Sequence, residues 1–230
     1  MQYLTHPALR LALAPVCLVQ GLAVRRRVIQ LPEAVGPRRG RSGEGPVLRL
    51  LILGDSSAAG VGVLHQDDAL SGRLAAELDG FDLRWRLEAR SGATTASTLS
   101  TLRALPPEPY DASVVALGVN DILRQVSLKR WLAAQADLWE MLRDRFGLRH
   151  GYLSGVPPLG RFPLLSHPLR AVLGARATQF DTALAALVAS RPGLRYMPFE
   201  DALLAPEHIA TDGFHPDLHC IARGPQGLPH

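Results

Sequence analysis

The chain reads as an α/β protein: an open parallel sheet with helices on both faces. Two observations predict this. Runs of strand length recur five times, at 47–53, 83–89, 112–117, 150–154 and 194–198. Between them lie stretches with the apolar period of a helix, closed by Gly or Pro, and no segment repeats. Alternation of this kind packs a parallel sheet between helices, and 230 residues suffice for one such domain, placed at 46–230.

Each element has its own signal. Residues 47–53 (VLRLLIL) form a branched apolar run ending in Gly54, the pattern of a buried strand. Asp67 and Asp68 open a helical pattern stopped by Asp79-Gly80. Residues 83–89 alternate Leu83, Trp85 and Leu87 with Arg84, Arg86 and Glu88, as a half-buried strand does. A helix over 94–105 ends at Pro106-Pro107, and a long amphipathic helix over 128–146 ends at Gly147. The strands at 112–117 and 150–154 flank that long helix. A Pro-rich loop at 155–168 follows, whose Val156, Leu159, Phe162, Leu164 and Leu165 are expected to wall an acyl pocket together with residues 60–66. A helix over 169–190 and the strand at 194–198 complete the pattern.

Residues 1–45 differ in kind. They hold seven Arg against Glu33 and Glu44, whereas the rest of the chain is close to neutral, so the overall charge of +4 is no nucleic-acid footprint on the folded domain. The apolar run 11–24, followed by Arg25, Arg26 and Arg27, is too short to span a bilayer and has the reverse charge order of a secretory signal. Two arrangements fit residues 11–27: a peripheral contact with an anionic membrane, or a helix packed on the domain. Residues 31–46 read as a linker. Only Cys17 and Cys220 occur, which fits a cytoplasmic protein, on the inner face of the membrane if the leader binds there.

In open sheets ligands bind at the carboxyl ends of strands, and there the polar residues gather. GDSSAAG at 54–60 follows the first strand, SGAT at 91–94 the second and GVND at 118–121 the third; DGFHP at 212–216 follows the last. Ser56 is the candidate nucleophile, His215 its base and Asp212 the acid that fixes the imidazole. The oxyanion of an attacked ester finds donors in the backbone N–H groups of Ser56 and Gly92 and the side-chain amide of Asn120. The chemistry requires no metal and no cofactor. A metal cluster of Asp212, His215, His219 and Cys220 is disfavoured because Pro216 breaks the helix that would align it. A flavin-type phosphate loop leaves Asp212 and His215 unexplained.

These four blocks resemble those of the SGNH (GDSL) hydrolases, which include esterases, lysophospholipases, thioesterases and carbohydrate acetylesterases. The resemblance spans about 47–216. It implies a flavodoxin-like three-layer α/β/α sandwich with a five-stranded parallel sheet, an acyl-ester substrate, and the catalytic roles given above. Gly54, Asp55, Ser57 and Asp121 are then supporting residues. Where the family carries a C-terminal helix, DLHCIARGPQGLPH follows Pro216, so the expectation is a loosely held His215 and slow turnover. The competing expectation is a catalytically impaired member that binds lipid or another ligand.

Overall fold

The computed structural model describes residues 15–21, 23 and 31–199. Its centre is β2 (Val47–Gly54), in which Leu50 and Ile52 face one side of the sheet and Leu51 and Leu53 the other, all buried. A strand apolar on both faces belongs inside a sheet. Accordingly β2 pairs in parallel with β3 (Asp82–Ala89) on one side and β4 (Ala112–Ala116) on the other. Beyond β4 come β5 (His150–Ser154) and β6 (Leu194–Met197), also parallel.

These are the five expected strands. A sixth corrects the expectation: β1 (Arg39–Ser42) runs antiparallel along β3, giving the order β1-β3-β2-β4-β5-β6 and a mixed sheet. It comes from the stretch read as a linker. RGRS has no apolar period, because a partly exposed strand can be held by its neighbour's backbone groups alone. The residues before it are also built in. Val35 bridges to His65, and the buried Gln66 amide donates to Ala34 O (3.2 Å) and Ala59 O (3.0 Å). A boundary at residue 45 would cut this segment from the sheet.

The crossovers place the helices. From β2 the chain steps one way to β3; every later step among the parallel strands goes the other way. Right-handed crossovers therefore put α1 (Leu70–Glu77) on one face, and α2 (Thr95–Ala104), α4 (Leu128–Phe146) and α5 (Leu169–Ala189) on the other. The short α3 (Val119–Leu123) follows β4. The reversal opens a crevice at the carboxyl ends of β2 and β4.

Local chemistry sets the helix ends. Thr94 and Ser97 form a reciprocal capping box on α2, and Ser127 caps α4, which stops at Gly147 in the left-handed conformation. The first helix begins at Leu70, later than the acidic pair suggested, because 65–69 form tight turns: Asp68 N–H donates to His65 O and Ala69 N–H to Gln66 O (both 3.1 Å). The first N–H of α5, from Leu169, donates to Gln20 Oε1 (3.0 Å), and Gln20 Nε2 donates to His167 O (2.6 Å). Residues 15–21 are helical, with Cys17 packed on the larger core cluster and burial pushing its thiol up. This part of the leader is thus a helix docked on the domain, with Val16, Leu18 and Val19 exposed.

The loop at 155–168 turns inward. Val156, Leu159, Phe162 and Leu165 are buried in the cluster that contains Trp131 and Phe180, so their apolar surface is used in the core rather than as an open acyl wall. Asp181 on α5 fixes the loop's start by accepting from Val156 N–H (2.8 Å) and Tyr196 OH (2.7 Å). Leu164 is half-buried.

Candidate active site

Three strand-end loops meet at the crevice. After β2 the chain turns at Asp55, whose N–H donates to Ala116 O at the end of β4 (3.1 Å). Gly54 permits the turn, since a Cβ there would stand 2.4 Å from the Cβ of Ala58. The following residues coil, Ala59 N–H donating to Asp55 O and Val61 N–H to Ser56 O, each at 3.0 Å. Ser56 lies half-buried at the start of this coil.

The buried Asp55 carboxylate joins two loops. Its Oδ1 accepts from the Ser57 N–H (3.1 Å) and hydroxyl (2.9 Å), and its Oδ2 accepts from Asn120 Nδ2 (3.2 Å). The Ser57 hydroxyl is thus committed to Asp55, which separates its role from that of its neighbour Ser56. The Asn120 amide carries two hydrogens; one goes to Asp55, and the other has no acceptor among the described residues.

Asp121 is buried, 2% exposed. Its Oδ2 accepts from the Thr95 N–H (3.0 Å) and hydroxyl (3.1 Å), and Gln135 Nε2 donates to Thr95 Oγ1 (3.2 Å). Burial holds the Asp121 carboxyl above its ordinary range, against the opposing pull of Thr95 and Arg124. The network ties α3 to α2 and α4.

The third loop carries Gly92, with φ +75°, a conformation that side chains with a Cβ rarely adopt. Among the described residues nothing accepts its N–H. Its carbonyl accepts from Arg124 Nη2 (3.2 Å), and the next N–H, of Ala93, donates to Arg90 O (3.0 Å). Ser91 N–H donates to Glu33 Oε1 (2.6 Å). Glu33 and Arg124, which hold this loop, carry no local signal in the sequence and were missed there.

Ser56, Gly92 and Asn120, with Gly54, Asp55 and Asp121 behind them, gather at the ends of β2, β3 and β4. Asp212 and His215 lie outside the described residues, as does the tail after Pro216. Among the described residues no cluster of acidic, His or Cys side chains is arranged to hold a metal ion, and no helix is long and apolar enough to cross a membrane.

The model of the GDSL-like Lipase/Acylhydrolase family matches residues 52–226, well over half of the chain. The protein belongs to this family. The GDSL-like chain is accordingly a hydrolase that acts on esters. Its fold is shared with solved esterases and lipases. Axe2, an acetylxylan esterase from Geobacillus stearothermophilus, is 17% identical with a TM-score of 0.56, over 78% of this chain and 92% of that one. The psychrotrophic esterase EstA from Pseudoalteromonas sp. is 19% identical with a TM-score of 0.53, over 74% and 88%. An extracellular lipase from Streptomyces rimosus is 16% identical with a TM-score of 0.54, over 74% and 86%. At these identities the likeness is one of fold. No curated protein matches the chain in sequence.

Proposed function

We propose that this family member is a serine carboxylesterase acting through an acyl-enzyme on Ser56. One observation carries the reading: the Asn120 amide is bonded to Asp55, the residue before Ser56, so a side-chain donor stands beside the serine where the strand order reverses. In the proposed reaction the Ser56 hydroxyl attacks the ester carbonyl and its proton passes to His215, steadied by Asp212. The negative oxygen is held by the N–H groups of Ser56 and Gly92 and by Asn120. Collapse expels the alcohol, which takes the proton from His215. Water, deprotonated by the same imidazole, then releases the acid and restores Ser56.

The EstA structure is described as inhibited by monoethylphosphonate, which supports a phosphonate as the probe. A fluorophosphonate is expected to label Ser56 alone and to stop hydrolysis of p-nitrophenyl acetate, with Ser56→Ala and His215→Ala both inactive. Labelling at Ser57, or full activity of Ser56→Ala, would overturn the assignment. Esters graded from acetate to palmitate, with a lysophospholipid and an acyl thioester beside them, rank the acyl preference. For the leader, exposed Val16, Leu18 and Val19, followed in sequence by three arginines, support a peripheral contact with an anionic membrane at the cytoplasmic face. Binding to anionic vesicles that weakens with salt is the expected outcome, and equal binding to neutral vesicles would exclude it.

A further inference from the structure

We infer that residues 33–38 form a strap that positions the Gly92 N–H for catalysis, with Glu33 and Arg38 as positioning residues. The inference rests on the assignment of Gly92 as an oxyanion donor. The peptide carrying the Gly92 N–H lies between two neighbours, and both are pinned. On one side the Ser91 N–H donates to Glu33 Oε1 (2.6 Å). On the other, the Gly92 carbonyl accepts from Arg124 (3.2 Å) and the Ala93 N–H donates to Arg90 O (3.0 Å). The donor itself is left without an acceptor among the described residues, so its direction is set by what holds its flanks.

Glu33 is held in turn. Its second oxygen pairs with Arg38 Nη2, while Arg38 Nη1 donates to Ala89 O (2.5 Å), the last residue of β3. The Arg38 carbonyl accepts from Leu87 N–H (2.8 Å), which carries the strap into the β1–β3 pairing. The same segment meets the coil after Ser56, since Ala34 N–H donates to Ala59 O (3.2 Å) and Val35 N–H to Leu64 O (2.9 Å). One short segment therefore fixes the serine coil and the Gly92 loop relative to each other. Because a misplacement of about 1 Å can cost on the order of 100-fold in rate, contacts that set the direction of this N–H matter to turnover.

The test is Glu33→Ala, which removes the acceptor for Ser91, and Glu33→Gln, which keeps an acceptor but loses the charge facing Arg38. Arg41→Ala is the control, since it breaks the ion pair to Asp82 at the opposite end of β3. For Glu33→Ala the expected result is a kcat lower by roughly tenfold with KM unchanged. A trifluoromethyl ketone should bind more weakly by the same factor, and amide exchange in the peptide over residues 89–94 should be faster. Glu33→Gln should lie between it and the parent, and Arg41→Ala should match the parent. Unchanged kcat and inhibitor affinity in Glu33→Ala would overturn the strap while leaving the serine assignment intact. Full activity of Ser56→Ala would overturn that assignment, and the exchange rate would then decide the strap alone, unchanged exchange refuting it. If Glu33→Ala does not fold, Glu33→Gln serves: a lower kcat at constant KM supports the strap, and parental kcat refutes it.

Discussion

The two oxyanion donors proposed for Ser56, Asn120 and Gly92, are held by different means. Asn120 is anchored from below, by the buried Asp55 and by the buried Asp121–Thr95–Gln135 network behind α3. Gly92 is anchored from outside, by Glu33, Arg38 and Arg124, whose contacts are part-buried or exposed. Ionic contacts at a surface are screened by salt and contribute little each, whereas a buried hydrogen-bonded network is insulated from salt and costly to break. The Asn120 side should therefore behave as a rigid wall and the Gly92 side as an adjustable one.

The largest expected effect is on the rigid wall. Asn120→Ala should lower kcat by about 10²–10³, equivalent to about 2.7–4 kcal/mol, with KM nearly unchanged. A change confined to KM would make Asn120 a ground-state contact. Next is Thr95→Val, which leaves Gln135 Nε2 and one Asp121 lone pair unpartnered in the interior. A loss of about 1–3 kcal/mol in urea denaturation is expected. If stability is retained, the network does not anchor α3.

Salt should separate the two sides more gently. Raising ionic strength from about 0.01 M to about 1 M shortens screening from about 30 Å to about 3 Å, and kcat should fall a few-fold as the Glu33–Arg38 contact weakens. The fall should be absent in Glu33→Ala. Equal salt dependence in both proteins would uncouple the surface contacts from turnover.

The smallest effect is on pH dependence. Burial raises the Asp121 pKa above its ordinary 3.8, so its favourable contribution is complete below that value and is lost as pH rises through the folded value. Asp121→Asn, which does not titrate, should gain on the parent as pH rises from about 4. Asp111 has the opposite sign: its bond to Arg49 lowers its pKa, so its contribution is present above 3.8 and is lost as pH falls. Asp111→Asn should accordingly be at its greatest disadvantage near neutrality. Parallel pH profiles for the two variants would contradict this contrast.

How legible each feature was depends on the range of the interaction that makes it. β2, β4 and α4 announce themselves through apolar runs and end signals within a few residues. The placement of Ser56, Gly92 and Asn120 just after strands was legible because strands can be read locally. Glu33 was not legible: its partner Ser91 lies 58 residues away and offers only a backbone N–H. The apolar side chains at 156–165 misled for another reason, since hydrophobicity does not say whether a loop faces a crevice or the core. β1 failed for lack of any pattern, its RGRS being held by β3.

That last strand has a consequence for how molecules meet one another. Without it, β3 would present an unpaired edge bearing Leu83, Trp85 and Leu87, a template on which a second copy could add its own strand. β1 covers that edge with four residues whose own outer rim carries the exposed Arg39 and Arg41. Gly40 lies flat against the indole of Trp85, where a Cβ would stand 2.6 Å from the ring, so the cover sits close. An approaching copy meets two ion-paired arginines on a strand of only four residues. β1 thus replaces a long edge with a short one, and deleting residues 33–42 is expected to promote self-association, measured by light scattering.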